Sequence, residues 1–146
     1  MRDIKETLSS LQYFIDNEFL EKYSNVVERN TNNRFRGSQI HKHHIIPRCW
    51  FKLVGKEVNN DLNNLVRLTT RDHFLAHYYL CLCTVDPFKY ANELALQCLL
   101  SNSKINNVDK LLLQSLPMYN NIYEDCSIKL KSNYKIYKSG KEFHDN

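Results

Sequence analysis

Histidines are concentrated in one stretch of this chain. Five of the six histidines lie between residues 38 and 82, namely His41, His43, His44, His73 and His77. Imidazole is a common metal ligand, and histidine is the side chain whose ordinary pKa lies nearest to neutral pH. This density therefore indicates a functional site, and we take the stretch as the centre of the fold.

The second half of the stretch predicts a helix. His73 and His77 are four residues apart within TRDHFLAHYYLCL. Four residues of α-helix turn through about 400°, which places both imidazoles on one face about 6 Å apart along the axis. Thr70 is the predicted N-cap, with Asp72 in the first turn, where its charge suits the helix dipole or orients His73. The predicted apolar stripe consists of Leu75, Tyr78, Tyr79 and Leu82.

Two short strands are predicted before this helix. Ile40, Ile45 and Ile46 favour a first strand that Pro47 ends, because proline has no N–H to donate to a ladder. A second strand is predicted over residues 63–68, with a loop containing Gly55 between the two. The predicted order is strand, loop, strand, helix, with histidines at the end of the first strand and on the helix.

Strand alternation leaves the choice among the first three histidines open. Successive side chains of a strand point to opposite faces, so His41 and His43 share one face and His44 lies on the other. Periodicity alone therefore allows His41 and His43 as joint metal ligands.

The order of these motifs resembles that of the HNH nucleases. The run HHIIPR over residues 43–48 is followed by NLV over 64–66 and then by HxxxH over 73–77. This series is similar to the phage-type and colicin-type HNH proteins, and several elements in the right order are more specific than a lone HxxxH. The resemblance implies an α+β, mostly helical fold, with a compact ββα-metal (His-Me finger) core over 38–83 flanked by N-terminal and C-terminal helices.

The resemblance also implies a role for each polar residue of the motif. His43, His73 and His77 would bind one divalent metal ion. His44 would be the general base, and Asn64 would brace the loop that carries it. Magnesium or manganese is expected to support activity, and zinc or nickel also suits nitrogen ligands. Phosphodiester hydrolysis needs such a set, because water must lose a proton while charge on the phosphoryl oxygens is stabilised.

Positive charge is concentrated near the first histidines. The chain has a net charge of +4, and residues 31–56 contain six basic residues and no acidic one. A basic surface beside the histidines suits a polyanion such as nucleic acid, with solvated loop charge as the alternative. The candidate phosphate contacts are Arg34, Arg36, Arg48, Arg71 and, as an accessory contact, His41.

The rest of the sequence predicts one helix-rich domain over 1–146. The content of three glycines and three prolines in 146 residues favours helices, and the length suits a single domain. An N-terminal helical segment is predicted over 1–30, with a break near Asp16-Asn17. C-terminal helices are predicted over 86–133, beginning at Asp86-Pro87, after Asn107 and after Pro117, and a basic tail follows over 134–146. The first C-terminal helix carries a predicted buried stripe of Phe88, Ala91, Leu94, Ala95, Cys98 and Leu99.

The predicted location is the cytoplasm of a bacterial or phage-infected cell. No apolar run approaches the roughly 18 residues of a membrane span, and the N-terminus has no signal-peptide core. The five cysteines lack the spacing of a zinc site or a disulfide framework, which favours free thiols in a reducing compartment.

The resemblance and the charge pattern together predict a metal-dependent HNH endonuclease that nicks or cuts double-stranded DNA as a monomer or homodimer. Phage-type members of that family include homing endonucleases, restriction-like enzymes and packaging-associated nickases, related toxins share the site, and the sequence does not choose among these roles. One alternative is a zinc-stabilised nucleic-acid-binding module of the same fold that does not cut. Another is a zinc cluster that only stabilises the fold. The last alternative gives no role to His44 or to the adjacent basic run.

Overall fold

The chain is mostly helical around one small sheet in this computed structural model, which describes residues 3–29, 39–100 and 105–120. The helices are α1 (Ile4–Ser9), α2 (Glu18–Arg29), α3 (Arg48–Leu53), α4 (Thr70–Leu82), α5 (Phe88–Leu100) and α6 (Asn107–Gln114), and the strands are β1 (Ile40–His44) and β2 (Leu65–Thr69). The strands pair with each other, and α4 follows β2 directly. The predicted α+β class with a ββα core is confirmed.

The sheet is an antiparallel pair whose register places β1 histidines opposite apolar residues of β2. His43 lies opposite Val66 and His44 opposite Leu65. The ladder does not extend to Ile46 as predicted, because the Asn64 side chain replaces a strand there: its Oδ1 accepts from the Ile46 N–H at 2.8 Å. The strand therefore ends immediately after the histidine pair.

Helix α4 is the centre of the core. It packs against α2, α5, α6 and both strands, and its buried apolar residues are Phe74, Leu75, Ala76, Leu80 and Cys81. The predicted stripe is wrong: of its members only Leu75 is buried, and Tyr78, Tyr79 and Leu82 are only partly buried. A helix covered on several sides must be apolar around most of its circumference. The histidines on α4 are consequently held by a well-packed element.

The N-cap of α4 is Thr69, not Thr70 as predicted. The Thr69 hydroxyl accepts from the Asp72 N–H at 3.3 Å. Thr70 is fully buried, and its hydroxyl donates to Asp109 Oδ2 on α6 at 2.9 Å. Its side chain is therefore used in a tertiary contact instead of a cap.

A helix occupies part of the segment that was predicted to be a loop between the strands. Pro47 precedes α3, and Trp50 and Phe51 of that helix are buried. The Trp50 indole N–H donates to the Gln12 carbonyl at 2.8 Å, which ties α3 to the N-terminal segment. These contacts hold the start of the loop, where Arg48 lies.

The N-terminal segment forms two helices, and the second begins just after the break predicted near Asp16-Asn17. The Asn17 side chain accepts from the backbone N–H groups of Phe19 and Leu20 at 2.9 and 3.1 Å, starting α2. In the connection, Phe14 forms a β-bridge with Thr84. The α2 helix is thereby fixed beside α4.

Helix α5 presents a different face to the core than its sequence predicts. Of the predicted stripe, only Phe88 and Leu99 are buried; the other core positions of α5 are Asn92, Leu96 and Gln97. Ala91, Ala95 and Cys98 instead line a cleft beside the histidines. The α6 helix begins at Asn107, as predicted. Most of the helix predicted after Pro117, and the whole basic tail, lie outside the described residues.

No helix in the described ranges is both long enough and apolar enough to cross a membrane.

Candidate metal centre and general base

Three histidines from two elements converge on one point. His43 comes from β1, His73 and His77 come from α4, and their ligand atoms all lie within 4.8 Å of one another. The Nε2 atoms of His73 and His77 are 3.0 Å apart, so the helical spacing brings the pair together as predicted. The cluster joins the sheet to the central helix.

The geometry and chemistry of this group fit a divalent metal ion. Two nitrogens at about 2.1 Å from one ion, at tetrahedral or octahedral angles, are about 3.0 to 3.4 Å apart, and the pair on α4 meets this spacing. The Nδ1 atom of His77 is buried without a hydrogen-bond partner among the described residues, and a metal ion on Nε2 would leave that atom unchanged. Three imidazoles are a donor set that suits first-row transition ions.

Burial keeps the three imidazoles neutral. Desolvation lowers the pKa of His43 and of His73 well below the ordinary value of 6.5, and repulsion from neighbouring histidines lowers both further. Desolvation, with a smaller effect of His41, lowers the pKa of His77 to about 4. Neutral imidazole is the form that binds a metal, so the ligands need not lose a proton to solvent at pH 7.

We expect the metal-free protein to lose stability as the pH falls from about 6.5 to about 4. In this window the unfolded chain binds protons at histidines that stay neutral in the folded protein, since the pKa of His77 is about 4 when folded and near 6.5 when unfolded. The stabilising contribution is complete above the unfolded pKa and is lost toward the folded one. Urea unfolding in chelator across this range measures it, with His77→Gln as the variant whose slope should be shallower. A wild-type stability that does not change across the window would contradict the prediction.

Tyr23 of α2 orients His43. Its hydroxyl donates to the Ile45 carbonyl at 2.6 Å and lies 2.8 Å from His43 Nε2. A tyrosine hydroxyl has one proton, so the oxygen accepts the Nε2 proton of His43. His43 Nδ1 then keeps its lone pair for a metal.

His41 contacts the cluster from outside. It faces α4 like His43, as alternation predicts, but it is not a member of the group of three. Its Nδ1 lies 2.9 Å from His73 Nδ1, and its Nε2 lies 3.0 Å from the Thr70 hydroxyl. Since both ring nitrogens are within hydrogen-bond distance of protein atoms, the accessory phosphate contact predicted for His41 has no free nitrogen in this conformation.

His44 lies on the opposite side of β1 from this contact and is hydrogen-bonded separately. Its Nε2 is 2.8 Å from Asn60 Oδ1. An amide oxygen can only accept, so His44 donates its Nε2 proton and leaves Nδ1 with a lone pair. Nδ1 is therefore the nitrogen of His44 that can accept a proton.

Asn64 holds the turn that follows the histidine pair. It is buried, and its Nδ2 donates to the carbonyls of Ile46 at 3.2 Å and Asn59 at 2.9 Å, while Oδ1 accepts from the Ile46 N–H. One side chain thereby joins the end of β1 to the segment that carries Asn60. The bracing role that the resemblance implies for Asn64 agrees with these contacts.

We expect Asn64→Asp to lower the free energy of unfolding by about 1 to 3 kcal/mol, because the two carbonyls lose their donor while a carboxylate is buried. Asn63→Asp is a matched control: Asn63 is the adjacent residue and is exposed, so its effect should stay within about 0.5 kcal/mol. Chemical denaturation at pH 7 compares the two. Equal effects would show that the Asn64 hydrogen bonds contribute nothing specific.

A cleft of about 650 Å³ opens beside the cluster. All three candidate metal ligands and His44 line it, together with the cations Lys42, Arg48 and Lys52. These cations are exposed, so they can reach a ligand in the cleft. The wall formed by α5 is made of small side chains at 91, 95 and 98.

Of the other arginines predicted to contact phosphate, only Arg71 lies in the described part of the chain. The Arg71 guanidinium lies 3.8 Å from the buried Asp72 carboxylate, and Arg29 lies 4.0 Å from the same oxygen. Asp72 therefore interacts with two arginines, and its Oδ1 has no hydrogen-bond partner within the described part of the chain. Arg34 and Arg36 lie outside the described residues.

Sequence patterns alone did not identify four of the residues that orient the site. Tyr23 sits in an amphipathic stripe and is indistinguishable there from a core tyrosine. Asn60 is one of several asparagines in a turn-rich run, Thr70 resembles a cap, and Asp109 is a first-turn acidic residue of α6. Only their tertiary contacts reveal them.

The comparisons with known proteins give a partial match to a phage protein. No protein-family model matches the chain, and no solved structure matches it. Over 66 residues it is 36% identical to a protein of Enterobacteria phage T4 named "Probable mobile endonuclease D". The match covers 42% of this chain and 23% of the relative, so the chain spans less than a quarter of that protein's length. The chain is thus similar, over part of its length, to a phage protein described as an endonuclease.

Proposed function

We propose that the protein is a metal-dependent HNH-type endonuclease that hydrolyses phosphodiester bonds in double-stranded DNA. His43, His73 and His77 hold one divalent ion, and His44 is the general base. The observation that carries this proposal is that the three ligands and His44 line one cleft with three exposed cations. A histidine cluster that only stabilised the fold would not need a base or positive charge beside it.

The hydrogen bond between His44 and Asn60 determines which nitrogen of His44 can act as the base. Because the Nε2–H of His44 donates a hydrogen bond to Asn60 Oδ1, Nδ1 is the atom that accepts a proton from water during attack on phosphorus. Asn64 supports this arrangement by holding the backbone on both sides of the turn. Asn64 thus positions the base without touching substrate.

Positive charge meets the other two requirements of the reaction, which are stabilisation of the phosphoryl and leaving oxygens and positioning of the DNA strand. A bound divalent ion supplies Lewis-acid stabilisation of the phosphoryl and leaving oxygens. Lys42, Arg48 and Lys52 are placed to bind the flanking phosphates, which fixes the strand in the cleft. Magnesium or manganese is the proposed ion for activity, and zinc or nickel also suits the three nitrogens.

The partial similarity to a phage endonuclease supports a nuclease of this kind. The relative's name describes a mobile endonuclease, which favours DNA in the cytoplasm of an infected bacterium as the setting. A nick is the product of one site, and a double-strand cut follows from two sites in a homodimer.

We expect Arg48→Ala and Lys52→Ala each to weaken DNA binding and to reduce the salt slope of log Kd by about 1, because one phosphate contact is lost. Lys5→Ala is the control, since Lys5 on α1 forms an ion pair at 3.6 Å with Asp16 and does not line the cleft. Fluorescence anisotropy with a labelled duplex at several salt concentrations measures the slopes. Identical slopes in all three variants would argue against DNA in this cleft.

The proposed function is tested with labelled oligonucleotides of one sequence as duplex DNA, single-stranded DNA and RNA, incubated with magnesium, manganese or chelator. The proposal expects metal-dependent cleavage of the duplex that leaves 5′-phosphate ends, by resemblance to HNH enzymes. Cleavage of RNA alone would replace the proposed substrate. Binding of DNA without cleavage in any metal would favour the non-cutting module of the same fold.

A further inference from the structure

A chain of four hydrogen bonds connects the candidate metal centre to a buried carboxylate on another helix. Asp109 Oδ2 on α6 accepts from the Thr70 hydroxyl at 2.9 Å. The Thr70 oxygen lies 3.0 Å from His41 Nε2, His41 Nδ1 lies 2.9 Å from His73 Nδ1, and His73 Nε2 lies 3.0 Å from His77 Nε2. Asp109 and Thr70 are both fully buried, so solvent does not compete for the bond between them.

The carboxylate fixes the direction of every proton in this chain. A carboxylate only accepts, so the Thr70 hydroxyl donates its single hydrogen bond to Asp109. The Thr70 oxygen can then only accept a hydrogen bond from His41 Nε2–H. A neutral His41 that carries its proton on Nε2 has a bare Nδ1, which must accept from His73 Nδ1–H. A neutral His73 that carries its proton on Nδ1 has a bare Nε2, and this is the atom that faces His77.

We propose that Asp109, Thr70 and His41 form a positioning relay that holds His73 in the Nδ1–H tautomer, so that His73 offers Nε2 to a divalent metal ion. The relay rests on the proposed metal site and adds three residues to it. It gives His41 a role different from the phosphate contact that its sequence position suggests. Histidine ligands commonly donate their second ring N–H to such a partner, and loss of the partner typically lowers metal affinity by about 10- to 100-fold.

The position of the relay in the fold supports its role. Thr70 is the first residue of α4 and His73 lies one turn further on, so the relay acts within the rigid helix that carries both ligands of the HxxxH pair. Asp109 is held independently: its backbone N–H donates to the Asn106 side chain at 2.9 Å, and its carboxylate also accepts from the Gln39 N–H at 3.0 Å. The Oδ2 atom of Asp109 thus has a backbone donor, Gln39, besides Thr70, and neither contact depends on a bound metal.

The first test needs no substitution and no nucleic acid. Long-range ¹H–¹⁵N correlation spectra of the metal-free protein report which nitrogen of each histidine carries the proton. The relay predicts the Nε2–H tautomer for His41 and the Nδ1–H tautomer for His73. The opposite tautomer at either residue would overturn it.

The second test removes one hydroxyl. Thr70→Val should weaken cobalt or zinc binding, measured by competition with a chelating dye, by about 10- to 100-fold, and it should allow both tautomers of His73. Thr70→Ser keeps the hydroxyl and should restore the wild-type affinity. Thr84→Val is the matched control, because Thr84 is also buried and its hydroxyl donates to the Leu80 carbonyl at the far end of α4; it should destabilise the protein without changing metal affinity.

The outcomes separate the relay from the proposed nuclease. Unchanged metal affinity in Thr70→Val, or an equal loss in Thr84→Val, would overturn the relay even if the protein cleaves DNA. The predicted tautomers and affinity changes in a protein that cleaves nothing would support the relay and leave the metal site without nuclease function.

Discussion

The substitution His44→Ala is expected to lower the single-turnover rate of DNA cleavage by about 100- to 10,000-fold, the range that general-base catalysis supplies. His44 is not a member of the group that could hold a metal, so the variant should bind metal and DNA with the wild-type affinity. Rapid quench with a labelled duplex, at saturating protein and metal, measures the rate of the chemical step alone.

A milder change at the same place provides the control for this prediction. Asn60→Ala keeps the imidazole of His44 but removes the acceptor of its Nε2 proton, so the rate should fall by less than in His44→Ala. A variant without His44 that cleaves at the wild-type rate would transfer the role of base to another group. Loss of metal binding in His44→Ala would instead make His44 a ligand.

The substitution His77→Ala is expected to have the largest effect on metal binding. It removes one of the three proposed ligands, so the dissociation constant should rise by more than about 100-fold, above the range seen when only an orienting partner is lost. Cleavage should disappear with the metal. Competition with a chelating dye measures the affinity, and circular dichroism checks that the variant is folded.

The neighbouring tyrosine gives a matched control on the same helix. Tyr78 is also partly buried on α4, and Tyr78→Phe removes a polar atom without removing a ligand nitrogen. Its metal affinity should equal that of the wild type. If His77→Ala retained full affinity, the cluster of three would not be the binding site, and His41 would become the alternative third ligand.

The histidine pair of α4 could be predicted because local geometry decides it. The spacing of His73 and His77 needs only a helix, and the acidic first turn and apolar positions around the pair predict one, although its N-cap is Thr69 and not Thr70. Alternation along β1 separates His41 and His43 from His44 but does not choose between His41 and His43. The choice of His43 and the ββα core therefore depend on the resemblance to the HNH nucleases.

The support around the site could not be predicted because it depends on distant contacts. Tyr23 meets His43 only after α2 packs on α4, and Asp109 reaches Thr70 across 39 residues of sequence. The same limit explains the α5 error: its alanines look like core positions, but the neighbouring cleft leaves that face partly open. Sequence periodicity identifies an apolar face without identifying what lies opposite.

The most direct test of the account is cleavage of a supercoiled plasmid by chelator-treated wild-type protein, with and without added manganese, beside His44→Ala. The account predicts nicked or linear plasmid only in the wild-type sample that contains metal. A wild-type protein that binds both metal and plasmid yet leaves the plasmid supercoiled would contradict a general nuclease for duplex DNA. Cleavage of equal rate in the His44→Ala sample would contradict the assigned base.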